Sequence, residues 1–352
     1  MSPRVADIAV AAADWLSAVS WQLVPLVAVV LLLDRLLRRS GPAAPSALWW
    51  LVIVKLVVPP TLTSPASLAR LAPPLGSGAV GAAPVGADAW TLAMLAAWLC
   101  GVVLAGTILL ARAARVRRRW LRGATAALPR SLVRGATAAA ARLRLRRPPH
   151  ILVQPAIDRP AVVGFLRPCV VVPPGLASQP PGEIQHALMH ELAHVARRDP
   201  LASLVTLVAQ VVFWFHPLVW LARHRLATLR EMSCDRRVVR ALGGNPKAYQ
   251  RTLLRLAPRL LVTPEPAALG LFQRRSQLVA RLEALGPLTK AGARRERLIA
   301  AAVFAGVLVS CVPLARPVVP ESDPPRLDRL PGSLQKRYAV LRWMAEQEQR
   351  DR

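Results

Sequence analysis

Acidic residues and cysteines are scarce in this 352-residue chain. Nineteen Asp and Glu stand against forty-seven Lys and Arg, a formal net charge of +28. The four cysteines (Cys100, Cys169, Cys234, Cys311) are scattered and form no CxxC pair. Neither a disulfide scaffold nor a cysteine-rich zinc module fits that spacing. Disorder is excluded from the other side, because 54% of the residues are apolar. A charge this high points to an anionic partner, whether nucleic acid or a lipid surface. The mean hydropathy of +0.36 points to a membrane. Both hold if long apolar runs alternate with Arg-rich connections.

They do alternate. A helix needs about 20 apolar residues to cross about 30 Å of hydrocarbon. Runs at 15–33, 43–62, 89–111 and 298–314 are expected to span. Lys55 lies near one end of the second run, where its stem can snorkel toward headgroups. Trp15, Trp49, Trp50 and Trp90 sit near run ends, as interfacial aromatics do. The first run lacks a basic n-region and a small-residue cleavage site, which favours a retained anchor over a removable signal peptide. Arg35, Arg38 and Arg39 separate the first two runs, and Arg294, Arg295 and Arg297 precede the fourth. Between Arg112 and Arg147 there are twelve Arg and no acid, while 63–88 holds only Arg70. The positive-inside rule then puts 34–42 and 112–297 in the cytoplasm and the N-terminus, 63–88 and the tail outside. The basic stretch carries a short repeat, Arg122-Gly-Ala-Thr-Ala-Ala and Arg134-Gly-Ala-Thr-Ala-Ala. It reads as a topology signal that attracts anionic lipid at about 1 kcal/mol per Arg. No nucleic-acid-binding motif accompanies it.

The cytoplasmic block holds His190-Glu191-Leu192-Ala193-His194, an HExxH sequence. On a helix, positions i and i+4 share a face, so both imidazoles can reach one cation. A helix is expected to start at Pro180-Pro181-Gly182-Glu183 and to close at Arg197-Arg198-Asp199-Pro200, with Ile184, Leu188, Leu192 and Val195 on its apolar stripe. Glu191 is placed to act as base toward a water activated by zinc. A third protein ligand is required. Glu231, in Glu231-Met232-Ser233-Cys234-Asp235, is one candidate, and Asp235 one turn on could take the outer N–H of a ligand His. His186 is a poor rival, since three turns of one helix would have to share an ion; His216 stays open. Residues 201–222 are uncharged and long enough to span. If they crossed, Glu231 and His190 would face opposite sides. A buried or re-entrant helix, broken at His216-Pro217, is therefore expected. Upstream, 151–153, 161–163 and 169–172 are short β-branched runs that suggest a small sheet. Its edge could pair with an extended substrate, or the sheet could only pack the helix.

Together these segments resemble the BlaR/MecR-type integral-membrane zinc metallopeptidases. The resemblance rests on Pro160-Ala161-Val162-Val163-Gly164-Phe165-Leu166-Arg167-Pro168, the HExxH with Arg197-Arg198-Asp199-Pro200, and Phe213-Trp214-Phe215-His216-Pro217-Leu218-Val219-Trp220. Glu231-Met232-Ser233-Cys234-Asp235, Ala248-Tyr249 and Leu253-Leu254-Arg255-Leu256-Ala257 complete it, over about residues 20–315. It implies a mainly α membrane protein with four transmembrane helices and a cytoplasmic gluzincin-type α+β metallopeptidase domain. It implies one zinc ion on His190, His194 and Glu231, with Glu191 as catalytic base. Asp235 then lies behind a ligand, and His216 is a candidate group for the transition state or for the surroundings of the ligands. The implied function is cleavage of a cytoplasmic protein, such as a transcriptional repressor, in bacterial signal transduction at the cytoplasmic (inner) membrane. Membrane lipids and that substrate are the expected partners. Homodimerisation is open, and no direct nucleic-acid binding is expected.

The expected plan is a membrane region over 1–111, a basic linker over 112–150, the metallopeptidase domain over 151–297, the fourth span over 298–314 and a short outer tail over 315–352. Ser333-Leu334-Gln335-Lys336 matches S-x-x-K, but no SDN or KTG partner accompanies it and the tail is too short for a penicillin-binding sensor. Leu308-Val309-Ser310-Cys311 resembles a lipoprotein box, though a plain helix-end cysteine is the expected reading. The rival functions are a non-proteolytic signalling scaffold of the same fold and a basic nucleic-acid-binding membrane protein.

Overall fold

The computed structural model describes residues 3–37, 41–57, 89–261 and 278–285, with short helical pieces at 298–299, 301–302 and 304–306. The 63–88 loop, most of the fourth run, Cys311, the 333–336 match and the tail lie outside the described residues. Among the described residues, eight longer helices accompany a small sheet. They are α1 (Pro3–Leu36), α2 (Ala43–Val57), α3 (Ala89–Leu121), α4 (Arg130–Leu143), α5 (Pro181–Ala196), α6 (Asp199–Val212), α7 (Pro217–Ala241) and α8 (Lys247–Leu261). Two are long and apolar enough to cross a membrane, at Ile8–Leu36 and Ala89–Leu121; α2 is a shorter apolar helix.

Two apolar cores form. In the first, Leu23, Val27 and Val30 of α1 and Trp49, Val52 and Leu56 of α2 enclose Phe213, Val219, Ala222 and Leu226, and Phe304 packs against them. Lys55 does not snorkel outward as the sequence suggested; it is wholly buried inside this bundle. Asp34 near the end of α1 is also buried and forms an ion pair with Arg225 of α7, which joins the bundle to the second core.

The second core holds α4, the sheet, α5, α7 and α8. The stretch expected as a basic linker contributes a folded helix here. Leu132, Ala139, Ala140 and Leu143 fall on one stripe of α4 and are buried, while Arg130, Arg134 and Arg142 stay outside that stripe. Gly135 lets α4 approach α5 closely: a Cβ there would lie 2.7 Å from Ile184 Cγ2. The sheet has β1 (Ile151–Val153), β2 (Ala161–Val163) and β3 (Cys169–Val172) in the order β1-β3-β2. β1 runs parallel to β3 with Leu152 opposite Val171; β2 is antiparallel with Val162 opposite Val170. Thr125 bridges the outer side of β1. The outer side of β2 has no strand partner among the described residues. The Gln154 amide donates to the carbonyls of Arg119, Trp120 and Arg122, satisfying the end of α3 and tying it to the sheet.

The uncharged run 201–222 is broken into two helices. α6 ends at Val212 and α7 begins at Pro217. The backbone groups freed at the break find side-chain partners. The Trp98 indole donates to Val212 O at 2.9 Å and the Trp220 indole to Trp214 O at 2.9 Å. His216 Nδ1 accepts from Leu218 N at 3.3 Å, capping α7, and its Nε2 lies 3.4 Å from Ser20 O on α1. Trp214 fits against α3 because residue 101 is glycine; a Cβ there would fall 2.2 Å from the ring. Arg198, in the left-handed region at φ 58°, turns the chain from α5 into α6.

The α4–α5 contact is testable. Gly135→Leu should lower stability by about 1–3 kcal/mol through overpacking against Ile184, read as thermal unfolding of the detergent-solubilised chain. Unchanged stability would mean that α4 is not seated on α5.

Candidate metal centre

α5 and α7 face each other, and each offers side chains one turn apart. His190 and His194 lie on one face of α5; Glu231 and Asp235 lie on one face of α7. His190 Nε2 is 3.3 Å from Glu231 Oε2, and His194 Nε2 is 3.5 Å from Glu231 Oε1. Donor atoms of His190, His194 and Glu231 all fall within 4.8 Å of one another. A tetrahedral zinc site with bonds of about 2.0–2.1 Å has edges of about 3.3–3.4 Å, close to these two separations.

The outer nitrogens of both rings are occupied. His190 Nδ1 lies 3.1 Å from Asp235 Oδ1 and 3.0 Å from Tyr249 Oη. His194 Nδ1 lies 2.9 Å from Asp199 Oδ2. If each Nδ1 carries the proton, each Nε2 presents a lone pair beside a carboxylate that also presents lone pairs. Such a cluster of acceptors repels itself unless a proton or a cation sits among them, so this donor set fits a divalent metal.

The electrostatics agree. Burial opposes charge on His190, but hydrogen bonds to Asp235 and Glu231 outweigh it and raise its pKa to about 10 in the absence of a cation. Burial also opposes charge on Glu231, yet its hydrogen bond to His190 and the nearby His190, His194 and Arg281 hold its carboxyl well below the usual range. Asp235 is fully buried; against that burial, Arg281 and His190 pull its pKa down to about 2. Arg281 donates to it twice, Nε to Oδ2 at 2.7 Å and Nη2 to Oδ1 at 2.8 Å, and the Tyr249 hydroxyl donates to Oδ1 at 2.7 Å.

A second group, His194, Asp199 and Cys234, lies behind the first. The Cys234 thiol donates to Asp199 Oδ2 at 3.2 Å. Burial and the Asp199 charge push its pKa up, so it stays a thiol. Its placement makes it a partner of Asp199 rather than a free nucleophile.

A cavity of about 480 Å³ opens over these residues, lined by His190, Glu191, His194, Glu231, Tyr249 and Arg281 among others. Glu191 makes no hydrogen bond or ion pair among the described residues, so its carboxylate is available to the cavity. Pro160 and Ala161, at the start of β2, form part of the wall. His186 also lines the cavity, but its Nδ1 is bonded to Thr252 Oγ1 at 2.8 Å and its ring stands edge-on to Tyr249. His216 is not brought to the site: it caps α7 at the helical break, because the backbone there needs an acceptor. Three residues beside the candidate ligands have no assigned role in the sequence reading. Asp199 has a spacing signal, five residues after His194 and just past the helix end. Tyr249 appears in the resemblance without a role. Arg281 is one of many arginines and has no signal.

A family model described as BlaR1 peptidase M56 matches residues 15–285. The chain is 34% identical over 88 residues to the Regulatory protein BlaR1 of Bacillus licheniformis, covering 25% of this chain and 15% of that protein. It is 30% identical over 87 residues to the Methicillin resistance mecR1 protein of Staphylococcus aureus (strain Mu50), covering 24% of this chain and 15% of that protein. The matched stretch thus spans well under a fifth of the curated relatives' length.

The carboxylates behind the two rings yield a prediction. Asp199→Ala and Asp235→Ala should each weaken zinc binding by about 10–100-fold, measured by competition with a chromogenic chelator. Wild-type affinity in both would mean that neither carboxylate orients a ligand.

Proposed function

The chain belongs to the BlaR1 peptidase M56 family, and from that membership we propose that it is a membrane-bound zinc endopeptidase of bacterial signal transduction. It spans the cytoplasmic membrane four times, with the peptidase domain facing the cytoplasm, and cleaves a cytoplasmic protein such as a transcriptional repressor. The observation that carries this reading is the convergence of His190, His194 and Glu231 beneath a cavity that Glu191 also lines.

Zinc held by those three residues would supply a Lewis acid that polarises the scissile carbonyl and makes water a better nucleophile near neutral pH. Glu191 takes a proton from the attacking water and delivers it to the leaving amine. Asp235 and Asp199 hold the tautomers of His190 and His194. The outer edge of β2 receives the substrate backbone in extended form, beside the cavity wall that Pro160 and Ala161 build.

The helical break supports the one-sided topology. Ser20, which meets His216, lies fourteen residues before Asp34; Trp98, which meets Val212, lies fourteen before Arg112. At 1.5 Å per residue both stand about 21 Å from the first charged side chain toward the cytoplasmic side of their helices. That is about two thirds of a 30 Å hydrocarbon core. A hairpin that deep enters and returns on one side, which keeps Glu231 with His190.

Glu191→Ala should retain one zinc per chain and lose cleavage by about 100-fold or more. Glu231→Ala should lose the metal, and His216→Ala should keep it. Metal content of the purified chains and cleavage of a co-expressed candidate repressor provide the readouts. Persistent cleavage by Glu191→Ala would remove that residue as base, and persistent zinc in Glu231→Ala would remove the third ligand.

A further inference from the structure

Hydrolysis of a peptide bond builds negative charge on the carbonyl oxygen, and neither the three metal-binding side chains nor Glu191 donates a hydrogen bond to it. We propose that Arg281 does so, with Nη1 directed to the scissile carbonyl oxygen as it becomes an oxyanion. This assignment rests on the peptidase reading above. Two of the three guanidinium nitrogens, Nε and Nη2, are committed to Asp235 at 2.7 and 2.8 Å. The guanidinium is planar, so this bidentate grip fixes where the third nitrogen stands. Nη1 lies 3.5 Å from Glu231 Oε2, a proposed zinc ligand, and Arg281 lines the cavity. Its side chain is only 12% exposed, so the cation acts in a medium that screens it weakly.

The neighbouring hydroxyls are already spent. Tyr249 donates to Asp235, Thr228 to His224 O and Thr252 to Ala248 O. Arg159, another cation of the wall, is exposed.

The step balances without any change at Arg281. The water oxygen bonds to the carbonyl carbon, the C=O π pair moves onto oxygen, and Glu191 holds the water proton. The pair then returns, the C–N bond breaks, and the proton passes from Glu191 to the amine. Arg281 keeps all its protons throughout and lowers the barrier by hydrogen bonding to the charged oxygen.

The test uses the full-length, zinc-loaded chain in detergent. Its probes are a peptide that the wild type cleaves, found by mass spectrometry in a casein digest, and the phosphinic analogue of that peptide. Arg281→Gln should lower kcat by about 100–1,000-fold. It should leave KM within about threefold, retain one zinc and weaken the phosphinic analogue by the same factor as kcat/KM. Arg281→Lys, which keeps a cation on Asp235, should hold the fold and the zinc and still lose most of kcat. The assignment is overturned if kcat is unchanged, or if peptide and analogue weaken equally. It is also overturned if both variants lose zinc or unfold, which would make Arg281 only a brace for Asp235. A wild-type chain that binds zinc and cleaves nothing contradicts the peptidase reading itself, and that result precedes any variant.

Discussion

The carboxylate of Asp235 has no exposed surface and carries its charge among His190, Tyr249 and Arg281. A buried charge is tolerated only when its partners satisfy it, and those partners are then held in return. Asp235 thereby sets the His190 ring, the Tyr249 hydroxyl and the plane of the Arg281 guanidinium. Glu231, one turn earlier on α7, reaches the rings because the helix that seats Asp235 also seats it. Asp199 holds His194 in the same manner from the start of α6.

The bundle has a matching constraint. Glu231 can share a site with His190 only if the chain between them returns to the side it left. In an apolar bundle a broken helix must find partners for its freed backbone groups. Trp98, Trp220 and His216 are those partners. On the proposed one-sided topology, the break at Phe213–His216 is therefore a requirement of the candidate site. The Asp34–Arg225 pair then connects α1 to the helix that bears Glu231.

Much of this could be read along the chain. Strands expected at 151–153, 161–163 and 169–172 form with those bounds, and the helix expected from Pro180 to Pro200 runs over Pro181–Ala196. The spacing of His190 and His194 and the later Glu231 mark residues that the fold does bring together. What escaped were features set by tertiary contact. The apolar stripe of α4 is made of Leu132, Leu143 and small alanines, hidden among arginines that read as a linker. Arg281 differs from the other arginines only in the carboxylate it meets, and that meeting is not local in sequence. Lys55 is uninformative in the same way: a lysine near a run end suggests snorkelling, and only the bundle shows it enclosed. His216 carries the chemistry of a site residue, but the helical break uses it for the backbone.

The central claim is that zinc takes two imidazoles from α5 and a carboxylate from α7, while the Cys234 thiol stays behind Asp199. X-ray absorption at the zinc edge of the full-length loaded chain tests this directly. The account predicts only nitrogen and oxygen neighbours at about 2.0–2.1 Å, with an imidazole signature of two rings. A sulfur neighbour at about 2.3 Å, or a third imidazole, would contradict it.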